Sequence, residues 1–140
     1  MKLKIFRFKK VNSTNSTAHR IIKNSKINYG MIISEMQING RGKYGKKWIS
    51  YRGNLFVSFF FNLERFRVSL KQLTQINCLA VKKLLSFYLK NKIFFKKPND
   101  LLVDNKKICG ILQETLNKSG KKYLIVGVGI NLINSPNING

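Results

Sequence analysis

At 140 residues the chain is long enough for one compact domain with a real core and too short for two ordinary ones. Its 44% hydrophobic content is normal for a globular protein, and it holds no run of about eighteen apolar residues that could span a membrane as a helix. The 27 Lys and Arg against 5 Asp and Glu give a charge of +22, which attracts polyanions; but the cations, mostly Lys, are spread from end to end and travel with Asn and Ile, so we read them as background composition on a solvated basic surface.

Residues 3–8 alternate basic and apolar side chains and read as a strand; a secretory leader would need a long apolar stretch after them. Ser13-Thr14-Asn15 offers helix N-cap residues, with a helical run over 17–23 behind them. Residues 29–38 read as a strand leading into a loop, Asn39-Gly40-Arg41-Gly42-Lys43-Tyr44-Gly45-Lys46-Lys47-Trp48, that packs three glycines, four cations and the only tryptophan. Glycine lets the backbone approach a ligand closely, the cations suit phosphate, and the indole offers a flat apolar face. Gly40-x-Gly42-x-x-Gly45 matches the dinucleotide fingerprint, but that fingerprint needs a helix directly after it, and residues 46–51 look extended, so a Rossmann reading is rejected. The crowded cations predict a loop that orders when an anion binds.

Gly53-Asn54 opens an apolar strand over 55–63. Ser69 caps a long helix to about residue 90, with Leu70, Leu73, Ile76, Cys78, Leu79, Leu84, Leu85 and Leu89 at helical spacing. A short strand over 93–96 stops at Lys97-Pro98-Asn99-Asp100. Asp104-Asn105 is a hairpin turn between 101–103 and 107–113. A second turn, Asn117-Lys118-Ser119-Gly120, leads into a strand over 123–133 containing Gly127 and Gly129; glycines inside a strand mark close approach of a ligand or another backbone. The order β-α-β-β-α-β-β-β-β predicts an α+β fold: a mixed, mostly antiparallel sheet with helices on one face. No repeat, low-complexity segment or linker divides it, so residues 1–140 are expected to form a single domain. Cys78 and Cys109 lie far apart in apolar segments and read as reduced core residues, which points to the cytoplasm.

Polar islands remain at element ends: Ser13-Thr14-Asn15, Gln37 with the glycine loop, 96–100, and Asn131. No Ser-His-acid set, His pair or Cys pair exists, and the sole His19, on the first helix, reads as an ordinary surface or satisfied histidine. Cations and amides suited to phosphates and a polar ring are what is left.

In this order the islands resemble the biotin–protein ligase family. Ser13-Thr14-Asn15 is similar to its Ser-Thr-Asn. Residues 35–48 resemble its Glu-x-Gln-x-x-Gly-Arg-Gly-Arg-x-Gly-Arg-x-Trp loop, and residues 96–100 its Lys-Trp-Pro-Asn-Asp. Lys106-Lys107-Ile108-Cys109-Gly110-Ile111-Leu112-Gln113-Glu114 resembles its Lys-Lys-x-x-Gly-Ile-Leu-x-Glu strand, and Gly127-Val128-Gly129-Ile130-Asn131 its Gly-x-Gly-Ile-Asn strand.

The resemblance implies the family's class II aminoacyl-tRNA synthetase-like catalytic fold. It also implies ATP-dependent attachment of biotin, through biotinyl-5′-AMP, to a lysine of a biotin carboxyl carrier protein. Lys96 and Arg41 would be catalytic, Lys96 bridging the biotin carboxylate and the α-phosphate. Ser13, Thr14, Asn15, Gln37, Gly40, Arg41, Gly42, Lys43, Lys96 and Gly110 would bind biotin, with Gly110 letting it lie against the strand. Arg41, Lys43, Lys46, Trp48, Lys96, Asn99 and Asn131 would bind ATP, Trp48 covering the adenine. Mg²⁺ is expected with ATP, with no protein ligand assigned, and Asp100 is expected to touch either the metal or its own loop. Neither specific nucleic acid nor membrane is an expected partner.

Three residues depart from the family pattern. Lys43 and Lys46 stand where Arg is usual, which keeps charge but loses bidentate geometry, and Lys97 stands where Trp is usual. An N-terminal helix-turn-helix is expected to be absent, as are the family's closing helices and small C-terminal β-barrel. Three rivals remain: a non-catalytic or impaired biotinyl-adenylate binding module; a lipoate or octanoate ligase of the same fold, which Arg41-Gly42-Lys43 disfavours; and a basic nucleic-acid binder, for which no aromatic stacking platform or recognition motif is visible.

Overall fold

The computed structural model describes residues 2–133; residues 1 and 134–140 of the expected domain lie outside them. In chain order the elements are β1 (Lys4–Phe8), α1 (Thr14–Asn24), β2 (Tyr29–Ser34), a 3-10 turn (Lys43–Gly45), β3 (Leu55–Asn62), α2 (Leu70–Ser86), β4 (Phe94–Lys96), β5 (Asp100–Val103), β6 (Lys106–Lys118) and β7 (Lys121–Ile130). The seven strands form one sheet in the order β1-β2-β3-β7-β6-β5-β4. Only β1 and β2 run parallel; every other pairing is antiparallel. The expected α+β architecture with a mixed, mostly antiparallel sheet is what the chain adopts.

Local chemistry sets the element ends. The Ser13 side chain accepts from the Ser16 N–H at the head of α1, and Ser69 with Gln72 closes a reciprocal capping box on α2. Asp104 and Asn105 both take positive φ (50° and 60°), as do Ser119 and Gly120 (51° and 74°). That left-handed pair is what a two-residue hairpin turn requires to match strand twist.

The helices do not share a face, and here the expectation is corrected. Ala18 and Ile22 of α1 pack on Ile32, Phe60, Tyr123 and Ile125. Leu73, Cys78 and Leu85 of α2 pack on the alternate set, Leu101, Cys109, Ile111, Leu124, Val126 and Val128. Successive strand side chains point to opposite faces, so odd residues of β7 meet α1 and even ones meet α2. The β7 run is apolar on both sides because both are covered.

The second helix is shorter than expected, and it buries less of its apolar periodicity: Ile76, Leu79, Leu84 and Leu89 stay exposed. Both cysteines are free and buried as expected. Burial pushes the Cys78 thiol up to about 11 and the Cys109 thiol up to about 12, so neither ionises near neutral pH. Among the described residues no helix is long and apolar enough to cross a membrane.

Candidate active site

After β2 the chain continues alongside the segment before α1. Val11 N–H donates to the Met36 carbonyl and Ile38 N–H to that of Val11. This lateral zipper delivers Gln37 to the head of α1, where its Oε1 accepts from the Thr14 N–H at 2.8 Å and the Thr14 hydroxyl at 3.2 Å. Its Nε2 donates to Ser50 Oγ at 3.0 Å. Ser58 Oγ, fully buried on β3, sits 2.7 Å from Thr14 Oγ1 and 2.6 Å from Asn15 Oδ1. Ser13, Thr14 and Asn15 are buried, and every polar group in this knot has a partner. A buried network satisfied throughout is rigid.

The glycine-rich loop is a small hairpin. Gly42 N–H donates to the Lys46 carbonyl at 2.7 Å and Trp48 N–H to the Gly40 carbonyl at 2.8 Å. Its tip, Tyr44-Gly45, takes positive φ at both residues. Gly40 is buried under the hairpin, where a Cβ would collide with the Trp48 carbonyl oxygen.

The strand glycines turn out to be seats for side chains. A Cβ on Gly110 would lie 2.7 Å from the Trp48 ring and one on Gly129 2.6 Å from it; one on Gly127 would collide with the Asn15 amide. The expectation of a ligand or backbone against these glycines is thereby corrected: the indole lies flat on the first pair, and Asn15 fills the third. Trp48 Nε1 is buried and has no hydrogen-bond partner among the described residues, an unspent donor at the floor of the site.

Lys107 completes that floor. Its Nζ lies 3.0 Å from Asp100 Oδ1 and 5.2 Å from the Trp48 ring centroid. Sequence reasoning quoted this residue only as part of a strand motif. Alternation counted back from Gly110 would have chosen Ile108 and Lys106, but β6 carries a bulge: Leu101 pairs Cys109 while its neighbour Leu102 pairs Lys107. The extra residue re-aims Lys107, and no feature of the sequence announces it.

Together these elements enclose a cavity of about 270 Å³. Ser13, Thr14, Asn15, Gln37, Arg41, Gly42, Lys43, Lys46, Trp48, Lys96, Asn99 and Gly110 all line it, as do Lys47, Lys97, Asp100 and Lys107. Two expected residues do not. Gly40 lies beneath the loop, and Asn131 instead donates to the Lys107 carbonyl at 3.3 Å. The Asn99 amide is likewise spent on the Ile111 carbonyl at 2.7 Å.

The charges divide sharply. Arg41 forms two hydrogen bonds to Glu114, at 2.9 and 2.8 Å, and Lys107 pairs with Asp100, so these two cations are matched. Lys43, Lys46, Lys47, Lys96 and Lys97 have no ion pair among the described residues. Burial disfavours ionisation of Glu114, but hydrogen bonds from Arg41 and Asn15 and the charges of Arg41 and His19 outweigh it, leaving its carboxyl below the ordinary 4.5. His19, expected as an ordinary surface or satisfied residue, stands with Nε2 3.7 Å from that carboxylate. Chemically the cavity offers an apolar plate, a rigid amide and hydroxyl wall, and a rim of unmatched positive charge.

A profile of the Biotin/lipoate A/B protein ligase family matches residues 7–131, and the chain belongs to that family. The bifunctional ligase/repressor BirA of Escherichia coli (strain K12) is 34% identical over 102 residues, 71% of this chain and 32% of BirA. BirA of Bacillus subtilis (strain 168) is 30% identical over 129 residues, 91% of this chain and 40% of that one. The biotin protein ligase of Aquifex aeolicus in complex with biotin and ATP superimposes with a TM-score of 0.80 at 32% identity, covering 97% of this chain and 55% of the other. The chain thus spans between a third and two-fifths of these BirA proteins' length.

Proposed function

We propose that this chain condenses biotin with ATP to biotinyl-5′-AMP and pyrophosphate, then passes the biotinyl group to a lysine of a biotin carboxyl carrier protein. A biotin carboxylate oxygen attacks the α-phosphorus and the bond to pyrophosphate breaks; the carrier amine then attacks the acyl carbon and AMP leaves. The observation that carries this reading is the cavity itself, where an indole plate, a satisfied polar wall and unmatched lysines converge. Neither step needs a protein nucleophile. What they need is charge at the α-phosphate, alignment of the two substrates, and a dry mixed anhydride.

In this reading Ser13, Thr14, Asn15, Gln37, Gly42 and Lys43 hold biotin, with Gly40 and Gly110 shaping the space. Arg41, Lys43, Lys46, Trp48, Lys96 and Asn99 serve ATP, and Asn131 serves it at one remove by fixing the Lys107 backbone. To Lys96 and Arg41 we add Lys107 as a catalytic candidate. Lys96 and Lys107 are both exposed cations, but the Lys107 ammonium is held in place between the indole and the Asp100 carboxylate.

Mg²⁺ belongs to the ATP phosphates here: among the described residues no cluster of three or more His, Cys, Asp or Glu could hold a metal, and Asp100 is engaged by Lys107. A single domain acting in the cytoplasm, with two buried unpaired thiols and no nucleic-acid or membrane partner, completes the reading.

ATP–pyrophosphate exchange with and without biotin tests it. Exchange that requires biotin is the expected result; exchange with lipoate and not with biotin would transfer the reading to the lipoate ligases. Lys97, where the family has Trp, favours a second reading, a biotinyl-adenylate binding module; tight adenylate binding with no exchange would select it.

A further inference from the structure

Glu114 does not line the cavity, yet it is the most heavily engaged acid in the chain. Its Oε1 accepts from Asn15 Nδ2 and from Arg41 Nη2, both at 2.8 Å, while Oε2 accepts from Arg41 Nη1 at 2.9 Å. Asn15 is in turn fixed by Ser58 and by the Leu112 carbonyl at 3.2 Å. The carboxylate therefore stands on an immobile backing and presents a fork to the first cation of the loop.

Arg41 also lies at the loop's neck, where it bridges to Lys47 across the hairpin. Its neighbours Gly40 and Trp48 are joined by a backbone hydrogen bond. Holding its guanidinium thus fixes both arms of the hairpin and the indole that follows. A bidentate guanidinium–carboxylate pair restricts direction as well as distance, which a lysine could not reproduce.

We propose that Glu114 is a positioning residue: through Arg41 it moors the Asn39 to Trp48 loop to β6 and seats Trp48 on its glycine floor. Arg41 then sets where the loop lies in addition to its share of the phosphates, beside Lys43 and Lys46, which have no ion pair among the described residues.

Trp48 is the only tryptophan, so its fluorescence reports the mooring directly. In protein without added biotin or ATP, Glu114→Gln and Arg41→Gln are each expected to raise acrylamide quenching of Trp48 and trypsin cleavage after Lys43, Lys46 and Lys47. The double variant should go no further than either single one. Unfolding of each variant followed by circular dichroism separates mooring from misfolding, and Arg41, half on the surface, serves as the second variant if Glu114→Gln proves unstable.

With substrates, Glu114→Gln should shorten the lifetime of bound biotinyl-adenylate by roughly tenfold, the scale of one partly exposed charged pair, with little change in the KM for ATP. Only this second readout rests on the ligase reading; the quenching readout does not. Unchanged quenching in both single variants overturns the mooring. So does a rise in quenching in Arg41→Gln that Glu114→Gln does not share, since the loop would then be held by something other than the carboxylate.

Discussion

The two faces of the sheet are built by different rules. On the α2 face the strands present Leu, Val, Ile and Cys to Leu73, Cys78 and Leu85, and the interactions are non-directional. On the α1 face the apolar packing of Ala18 and Ile22 stops halfway. Beyond it the same strands carry Gly110, Gly127, Gly129 and Ser58 under a knot of amides and a tilted-in indole. One face holds the protein together; the other gives up packed volume to make room for Asn15, Trp48 and the cavity. Stability and chemistry are therefore separable by mutation, one strand face at a time.

The largest effect should come from the α2 face. Leu101 is fully buried there, and Leu101→Ala is expected to cost about 2–5 kcal/mol, measured by chemical unfolding, while the folded fraction keeps its exchange activity. On the other face Lys107→Ala should lower pyrophosphate exchange by roughly 10²–10³-fold with unfolding unchanged. Lys96→Ala is expected to follow within roughly the same range and Lys97→Ala to be mild; if Lys97→Ala were the most damaging of the three, the assignment of cations would be wrong.

Gly129→Val sharpens the contrast further. The strand backbone there tolerates a side chain, but the added carbons occupy the indole's seat, so a loss of about a hundredfold is expected from displaced geometry alone. Smaller still, Ser69→Ala removes half of the α2 capping box and should cost about 1 kcal/mol with no kinetic effect.

The smallest effect is the pH dependence. The Glu114 carboxyl lies below its ordinary 4.5 in the folded chain, so its contribution to stability is present above that ordinary value and fades as pH falls through the lowered one. Comparing the unfolding of wild type with that of Glu114→Gln from neutral to strongly acidic pH should show a gap that closes on the acid side.

The sequence carried the order and type of every strand and α-helix, though not the 3-10 turn at Lys43–Gly45, because the signals are local. Ser13 and Ser69 cap helices, Asp104-Asn105 and Ser119-Gly120 accept left-handed backbone, and charged ends frame each apolar run. It could not say which face each helix covers. That needs the register of β7, and β7 is apolar at Tyr123 through Val126 without alternation. Most of the site was legible for the same local reason: its cations and amides cluster at element ends. Lys107 was hidden by the bulge at Leu101/Leu102, and the role of Glu114 by distance, since 73 residues separate it from Arg41. The glycines were legible as close approaches, though not as seats for side chains from the chain itself.

The position of β7 has a consequence for how the protein is made. It pairs with β3 on one side and β6 on the other, yet it is synthesised after both. Until residues 121–130 arrive, a nascent chain growing by about 5–20 residues per second holds two separate half-sheets, each with an open hydrogen-bonding margin on β3 or β6. Such margins invite pairing with neighbouring chains. Ribosomal pausing before Lys121 should therefore favour aggregation, and a message cut short there should yield two unjoined halves rather than a weaker enzyme.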